Sequence, residues 1–350
     1  MRPRQLAPGI DVSEVGFGNW TVTTGWWGEY TREEALRLHR EAFEAGITFF
    51  DTSDAYAEGY AEEVLGEAIA DIRDQVVIAT KFGYDITSDH KRVGQQERAH
   101  RTDIAYVAQR LDDSLKRLGV DTIDFYQLHN PRMAHIDDDD LWAFLEDAKA
   151  AGKIRAYGLA LGPKIGWLDE GIHAMRVRGT GGSGGGGAPT GGIAGIQMIF
   201  NILEQSPGRE LLEVAAETDS RMIVRVPHSS GMLEGNLTAD HVFPKHDHRR
   251  HRPRSWLIEG VQKVEALDFL RRDMTLGQAA LKWVLSHERC VSTLPNIYGS
   301  DQIIEFAAAP AQRDLTDDEL ARIAELYADN FGVVPEGLPD TDKVNGGVGT

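Results

Sequence analysis

Short runs of β-branched and aromatic residues alternate along this 350-residue chain with longer stretches of helical periodicity. This alternation constrains the fold most, because strands joined by helices form repeated βα units around a parallel sheet. Eight runs fit strands: 14–18, 47–52, 76–81, 123–129, 156–160, 196–200, 222–226 and 291–294. The clearest helical stretches are 32–45, 61–72, 102–118, 141–150, 211–217 and 276–286. We therefore predict a single (β/α)8 barrel of the α/β class over residues 1–335, with a separate tail at 336–350.

Two segments depart from this alternation. The first, 179–192, reads GTGGSGGGGAPTGG and is too rich in glycine to order by itself. A phosphate-binding glycine loop would follow a strand and open a helix, whereas this run precedes a strand, so a flexible insertion is the better interpretation. The second, 241–254, holds four histidines and four arginines between breaking prolines. Metal binding is conceivable there, but a solvated basic loop fits better because no cysteine or helix-spaced ligand joins the histidines.

Composition excludes several classes of function. The chain carries 55 acidic against 37 basic side chains, a net charge of −18, which repels nucleic-acid phosphates and anionic lipid. It has no apolar run of membrane-spanning length and no signal-peptide pattern at its start, so we expect a cytoplasmic protein without membrane or nucleic-acid partners. The single cysteine, Cys290, is expected to be a buried, inert thiol. The oligomeric state stays open, a homo-oligomer included.

Polar side chains follow three successive predicted strands where each strand ends. Asp51 ends the second run and Tyr56 follows it closely, Lys81 ends the third, and His129 ends the fourth. The carboxyl ends of barrel strands form one face, and barrel enzymes place catalysis on that face. We therefore expect these four side chains to converge in one cleft.

These four residue types suit addition of hydride to a carbonyl group. A tyrosine phenol, with an ordinary pKa near 10, becomes an effective proton donor only if a nearby cation favours the phenolate. Lys81 supplies such a cation, Asp51 keeps it charged, and His129 can hydrogen-bond the carbonyl oxygen. The alternative is structural: a barrel salt bridge, a tyrosine anchoring a loop and a buried histidine.

With these residues in view, the sequence resembles the aldo-keto reductase superfamily over about residues 5–330. The segments FFDTSDAY, EEVLGEAI, IATKFG, SLKRLGVDTIDFYQLHNP and GKIRAYGL match its motifs in order and spacing. The resemblance implies a TIM barrel with an N-terminal β-hairpin plug, a bound NADPH and reduction of aldehydes or ketones. It also implies that Asp51, Tyr56, Lys81 and His129 form the catalytic tetrad.

The resemblance further implies a set of cofactor-binding residues, which matches the family less completely. Gln197 corresponds to the glutamine that binds the nicotinamide carboxamide, and Arg225 stands where relatives stack an aromatic ring on the nicotinamide. The pyrophosphate would be held by Ser229, Gly231 and Leu233, and the adenosine end by Gln302 and Glu305.

The cofactor and substrate are less determined. Asn296 and Tyr298 stand where cations usually pair the 2′-phosphate of NADPH, so NADPH is favoured with NADH possible, and an arginine of the 241–254 loop could replace those cations. Trp20, Trp26 and Trp27 are predicted to wall a site for a small carbonyl substrate, with plain core packing as the alternative. Two other functions stay open: a redox-sensing, nicotinamide-binding regulatory subunit, and a sugar or polyol dehydrogenase working in the oxidative direction.

Overall fold

The architecture comes from a computed structural model that describes residues 1–88, 97–162, 167–179 and 192–334. The predicted glycine-rich insertion, apart from its two end residues, and the predicted tail at 336–350 lie outside the described residues.

Ten strands are present in the described ranges. A two-stranded antiparallel sheet is formed by β1 (Pro3–Ala7) and β2 (Ile10–Ser13). The other eight form one parallel sheet whose neighbours follow chain order: β3 (Phe17–Gly18), β4 (Phe49–Asp51), β5 (Val77–Phe82), β6 (Ile123–His129), β7 (Ile154–Ala160), β8 (Gly195–Ile199), β9 (Arg221–Arg225) and β10 (Cys290–Leu294). All eight predicted strands are thereby confirmed, with ends that shift by a few residues.

The eight-stranded sheet closes on itself through its first and last strands. Val15 pairs in parallel with Thr293, and the Gly16 amide donates to the Thr293 carbonyl at 2.8 Å. The predicted (β/α)8 barrel is therefore confirmed. Its first strand is shorter than predicted, because only Phe17 and Gly18 pair regularly with β4.

Helices surround the sheet and bury their apolar faces against its outer surface. Their bounds are α1 (Trp20–Thr23), α2 (Arg32–Glu44), α3 (Tyr60–Ile69), α4 (Ile104–Leu118), α5 (Met133–Ile136), α6 (Asp139–Ala150), α7 (Leu168–Arg178), α8 (Gly208–Thr218), α9 (Arg254–Glu265), α10 (Leu276–Leu285), α11 (Ser300–Ala308) and α12 (Asp317–Ala328). All six predicted helices are present. The start of α2 shows why, since Thr31 and Glu34 form a reciprocal capping box there.

The β1–β2 hairpin covers the amino end of the barrel, as the predicted plug requires. Leu6, Ile10 and Val12 are buried and pack against side chains of the barrel interior, among them Phe49 and Phe125. Because apolar side chains fill this end, the polar cleft described below lies at the opposite end.

Two further expectations concern Cys290 and membrane crossing. Cys290 is fully buried and unpaired on β10, and burial raises the pKa of its thiol to about 12, as expected for an inert cysteine. In the described ranges, no helix combines the length and the apolar character that crossing a membrane requires.

Candidate active site

A buried ion pair forms the base of the site. Asp51 is the last residue of β4, and Lys81 lies near the end of the adjacent strand β5. The Lys81 Nζ atom donates to Asp51 Oδ1 at 2.5 Å and to the Thr52 carbonyl at 2.7 Å. Only 1% of the Lys81 side chain and 5% of the Asp51 side chain are exposed. The sequence expectation that Asp51 pairs with Lys81 agrees with this geometry.

The second oxygen of Asp51 is held by two amide side chains. Gln127 Nε2 and Gln197 Nε2 donate to Asp51 Oδ2 at 3.0 and 2.9 Å. Sequence reasoning missed Gln127, although it precedes His129 by two residues on β6 and so faces the same side of the sheet. These bonds engage the amide nitrogen of Gln197, so its carbonyl oxygen is the atom left to meet a ligand.

Tyr56 lies beside the ion pair. It starts a short 3-10 helix (Tyr56–Gly59) after β4, and Lys81 Nζ lies 4.9 Å from the centre of its ring. Burial alone would lower the pKa of Lys81, but the charge of Asp51 and the neighbouring Tyr56 outweigh it and raise that pKa above 10.5. Lys81 is therefore a permanent cation next to the phenol.

His129, at the end of β6, completes the group. Its ring meets the Tyr56 ring edge to face, with centroids 6.0 Å apart, and its Nδ1 atom lies 3.3 Å from Ser53 Oγ. Burial, followed by the charges of Lys81 and Arg225, holds the pKa of His129 well below 6.5. The imidazole is therefore neutral at physiological pH.

These side chains border a cleft of about 350 Å³ at the carboxyl end of the barrel. Its walls include Trp20, Trp27, Tyr56, His129, Gln197 and Arg225. Trp26 is outside the lining that the described residues form, and its backbone carbonyl accepts a hydrogen bond from the His248 amide instead. The described lining therefore gives no support to Trp26 as a wall of the site, and its role stays a prediction.

The 241–254 loop is not the solvated basic loop that we expected, because part of it packs over this cleft. The ring centroid of His248 lies 4.8 Å from that of Trp27, with the planes tilted, and 5.3 Å from that of Trp20, edge to face. Asp247 is buried and pairs with Arg249 at 2.6 Å, and the Arg249 guanidinium lies 4.3 Å from the Trp27 ring. In the part of the chain that the structure describes, no cluster of metal-ligating side chains is found.

The predicted pyrophosphate loop follows β9 and has an unusual backbone. Arg225 ends the strand, lines the cleft and donates to the Leu161 carbonyl at 2.5 Å. Ser229, Ser230 and Gly231 then adopt positive φ angles of 48°, 58° and 89°. The Ser229 and Leu233 amides already donate to the Val226 and His228 carbonyls, so the Ser230 and Gly231 amides are the ones that suit an anion. Ser229 Oγ donates to Glu204 at 3.0 Å, and Leu233 is buried below the turn.

The predicted adenosine-binding residues lie on α11, away from the tetrad. Glu305 accepts from the Thr275 hydroxyl, which ties it to the start of α10, and Gln302 lies beside Gly299. Tyr298 donates to Glu234, a half-buried carboxyl whose pKa burial raises to about 7. A phenol and a carboxyl thus lie together where the family resemblance leads us to expect a cation.

Three comparisons with known proteins agree with this geometry. A model of the aldo/keto reductase family matches residues 14–328. The aldo-keto reductase YhdN of Bacillus subtilis is 27% identical over 285 residues, covering 79% of this chain and 78% of that protein. The NADH-specific methylglyoxal reductase of Escherichia coli is 27% identical over 332 residues, covering 91% and 95%.

A solved structure shows the same relation in three dimensions. The glycerol dehydrogenase AKR11B4 of Gluconobacter oxydans superposes with a TM-score of 0.74 at 25% identity, over 95% of this chain and 96% of that one. The family model matches most of this chain, and each alignment also spans most of the length of the relative. The chain therefore belongs to the aldo/keto reductase family and is a nicotinamide-dependent oxidoreductase.

Proposed function

We propose that the protein reduces an aldehyde or ketone to an alcohol with NAD(P)H, using Tyr56 as the proton donor. The observation that carries this proposal is the buried Lys81–Asp51 pair directly beneath Tyr56 and His129 in one cleft. A structural salt bridge would need neither a phenol nor a neutral imidazole facing the same open space.

The cleft fits a nicotinamide dinucleotide. Arg225 presents a fixed guanidinium plane that can stack on an aromatic ring, and Gln197 offers an amide oxygen to a carboxamide. The turn at Ser229–Gly231 suits a pyrophosphate. Arg252 lines the cleft and donates to Ser230 Oγ at 3.2 Å, and we assign its charge to the extra phosphate of NADPH. When bound, the reduced nicotinamide supplies a hydride.

Tyr56 gives its proton to the carbonyl oxygen as that oxygen gains negative charge. Lys81 stabilises the resulting phenolate because its ammonium lies against the phenol and remains protonated. Asp51, gripped by Lys81, Gln127 and Gln197, holds the ammonium in this position. Tyr56, Lys81 and Asp51 act as a unit, so loss of any one of them should impair the proton transfer.

His129 plays a different part. Its neutral ring cannot add a positive charge to the site, but it can donate one hydrogen bond to the substrate oxygen. It thereby fixes the carbonyl in line with Tyr56, and this positioning lowers the entropy cost of the reaction.

For the cofactor, we propose NADPH first, with NADH as the alternative. Arg249 is paired with Asp247, whereas Arg252 lines the cleft and can meet a phosphate. Two observations support the alternative: the similarity to an NADH-specific Escherichia coli reductase, and the carboxyl of Glu234 bonded to Tyr298 where a cation would be needed.

The substrate is a small carbonyl compound that packs against Trp20 and Trp27, which line the cleft side by side. The similarity to a glycerol dehydrogenase supports a second candidate, oxidation of a polyol by the same residues in reverse. Both directions use Tyr56, as donor in reduction and as acceptor in oxidation.

The test is turnover by the purified protein. We expect it to oxidise NADPH or NADH in the presence of one or more members of a panel of aldehydes and ketones, and to reduce the oxidised cofactor with polyols more slowly at neutral pH. Cofactor binding with no turnover in either direction would contradict the proposal and favour the regulatory alternative.

A further inference from the structure

A fully buried carboxyl, Asp54, lies behind His129, and the mechanism above does not use it. Its Oδ1 atom is 3.4 Å from Ser53 Oγ, and its Oδ2 atom has no hydrogen-bond partner among the described residues. The same Ser53 hydroxyl lies 3.3 Å from His129 Nδ1. A buried acid is thus one hydroxyl away from the histidine that faces the cleft.

The bonding capacity of Ser53 fixes how these groups relate. A hydroxyl donates one hydrogen bond and accepts two. The Ala55 amide, at 3.2 Å, occupies one acceptor position of Ser53 Oγ. One donor and one acceptor position remain for Asp54 and His129. If Ser53 donates to one of them, it must accept from the other.

The surroundings of Asp54 determine which arrangement forms. Glu62, on α3, lies nearby but is already paired with Arg117 at 2.6 Å and accepts from Thr80 at 2.6 Å. The other charged and titratable groups that face Asp54 are Arg110 and Tyr106 on α4 and Tyr126 on β6. No cation bonds Asp54 directly among the described residues.

Burial therefore favours the neutral acid. Burial first, and the charge of Glu62 second, raise the pKa of the Asp54 carboxyl to about 8, against the lowering effects of Arg117 and Arg110. At neutral pH the carboxyl is protonated and is a hydrogen-bond donor.

We propose that Asp54 is a positioning residue that sets the tautomer of His129 through Ser53. The protonated carboxyl donates to Ser53 Oγ, and the Ser53 hydroxyl then donates to His129 Nδ1. The ring hydrogen of His129 must consequently be on Nε2. Within the described residues Nε2 has no hydrogen-bond partner, so this N–H is available to a carbonyl oxygen in the cleft. This inference rests on the proposed function for its effect on turnover, but not for the tautomer itself.

Ionisation of Asp54 would reverse the direction of the two hydrogen bonds that link Asp54, Ser53 and His129. A carboxylate only accepts, so the Ser53 hydroxyl turns to it and then accepts from His129, whose hydrogen moves to Nδ1. The substrate-facing nitrogen loses its hydrogen, and carbonyl reduction should fall as pH rises through about 8. Four other groups near His129 do not produce this change. Tyr84, whose ring centroid lies 4.9 Å from that of His129, stays protonated because burial raises its pKa. Lys81 stays charged because its pKa is raised, and His100 stays neutral because burial lowers its pKa. Arg225 stays charged across this range because an arginine deprotonates only far above it, even where burial lowers its pKa.

The direct test is nitrogen-15 NMR of the histidine side chains in the full-length protein, with His129→Gln used to assign the His129 signals. We expect Nε2–H at neutral pH and Nδ1–H well above pH 8 in the unaltered protein. In Asp54→Asn, whose amide donates to Ser53 at every pH, we expect Nε2–H at both. One tautomer at both pH values in the unaltered protein, or the same switch in Asp54→Asn, would overturn the proposal.

The pH profile of kcat/KM gives a second readout. We expect kcat/KM to fall as pH rises through about 8, and we expect Asp54→Asn to remove this basic limb of the profile. The control is Asp124→Asn, the same change at a buried site at the other end of the barrel, which should leave the basic limb in place. If Asp54→Asn fails to fold, Ser53→Ala serves instead, with kcat lowered about tenfold, cofactor affinity unchanged and the limb lost. A limb unchanged in these variants would contradict the role of Asp54. A tautomer switch in a protein that reduces no carbonyl would instead contradict the proposed function.

Discussion

Each end of the barrel buries an aspartate beside cations, but the two arrangements differ in what they leave unsatisfied. At the amino end, Asp124 is 1% exposed and accepts from Arg73 at 2.9 Å, Arg155 at 2.6 Å and the Ile78 amide at 2.8 Å. Both arginines keep part of their side chains in solvent. Polar side chains, Arg73 and Arg155 among them, line a depression beside this carboxylate, but both of its oxygens already have partners, so this group serves stability.

At the carboxyl end, Asp51 meets a single buried cation, Lys81, and two amides. The charge of that cation lies against Tyr56, and Tyr56 and His129 face an open cleft. A buried charge next to groups that can still bond a ligand is the arrangement that catalysis requires. Both ends bury a charge, so a buried charge alone does not identify the active site. The catalytic end is distinguished by polar groups that remain available to a ligand.

Backbone strain separates the two ends in the same way. Among the described residues, nine non-glycine residues have positive φ, and six of them follow the carboxyl ends of strands: Ala57, Glu58, Asn130, Val226, Ser229 and Ser230. A β-branched residue at positive φ, as at Val226 with φ of 56°, is unfavourable and persists only where the surroundings impose it. The strained segments are the ones that carry the proposed cofactor and substrate contacts.

The comparison would break if Lys81 were merely structural. Lys81→Met should lower kcat by about 100-fold or more, because the phenol loses the cation that favours its phenolate. Thermal unfolding and circular dichroism check that the variant folds, and Lys81→Arg, which keeps the charge, should retain more activity. Near-normal kcat in folded Lys81→Met would show that the two ends do not differ in kind.

At the amino end we expect the opposite result, a loss of stability without a loss of activity. Asp124→Ala removes the partner of two arginines and of a buried amide, and should lower the free energy of unfolding by about 2–4 kcal/mol. Because Asp124 is remote from the cleft, kcat should not change. Denaturant titration and steady-state kinetics measure the two quantities, and a large fall in kcat with unchanged stability would contradict this assignment.

A smaller effect sharpens the account of the cofactor. Arg252→Ala should weaken NADPH binding about tenfold and leave NADH binding nearly unchanged, because one charge-assisted contact to the extra phosphate is lost. The matched control is Arg250→Ala, since Arg250 donates to the Lys245 carbonyl instead. Fluorescence titration of both cofactors gives the affinities. An equal loss for both, or a larger one for NADH, would show that Arg252 does not select NADPH.

The sequence predicted the barrel and the position of the tetrad because both depend on local signals. Apolar runs mark buried strands, and the residues that end successive parallel strands must share one face. The sequence alone therefore predicts that Asp51, Lys81 and His129 lie together.

The errors arose where the outcome depends on contacts between distant parts of the chain. The 241–254 loop is polar in sequence, yet His248 packs on Trp27 and bonds the Trp26 carbonyl. Such contacts bury Asp247 and cover part of the loop. Asp54 was overlooked for a related reason, since only the fold shows that it is buried with no cation bound to it.

The most direct test of the central claim, that Tyr56 delivers the proton, compares Tyr56→Phe with the unaltered enzyme in two measurements at once. Single-turnover kinetics should show reduction slowed by about 100-fold or more, because the ring remains but the donated proton is gone. Fluorescence titration should show cofactor affinity nearly unchanged, because no proposed nucleotide contact is removed. Reduction at the normal rate in Tyr56→Phe, or a loss confined to cofactor affinity, would contradict the account.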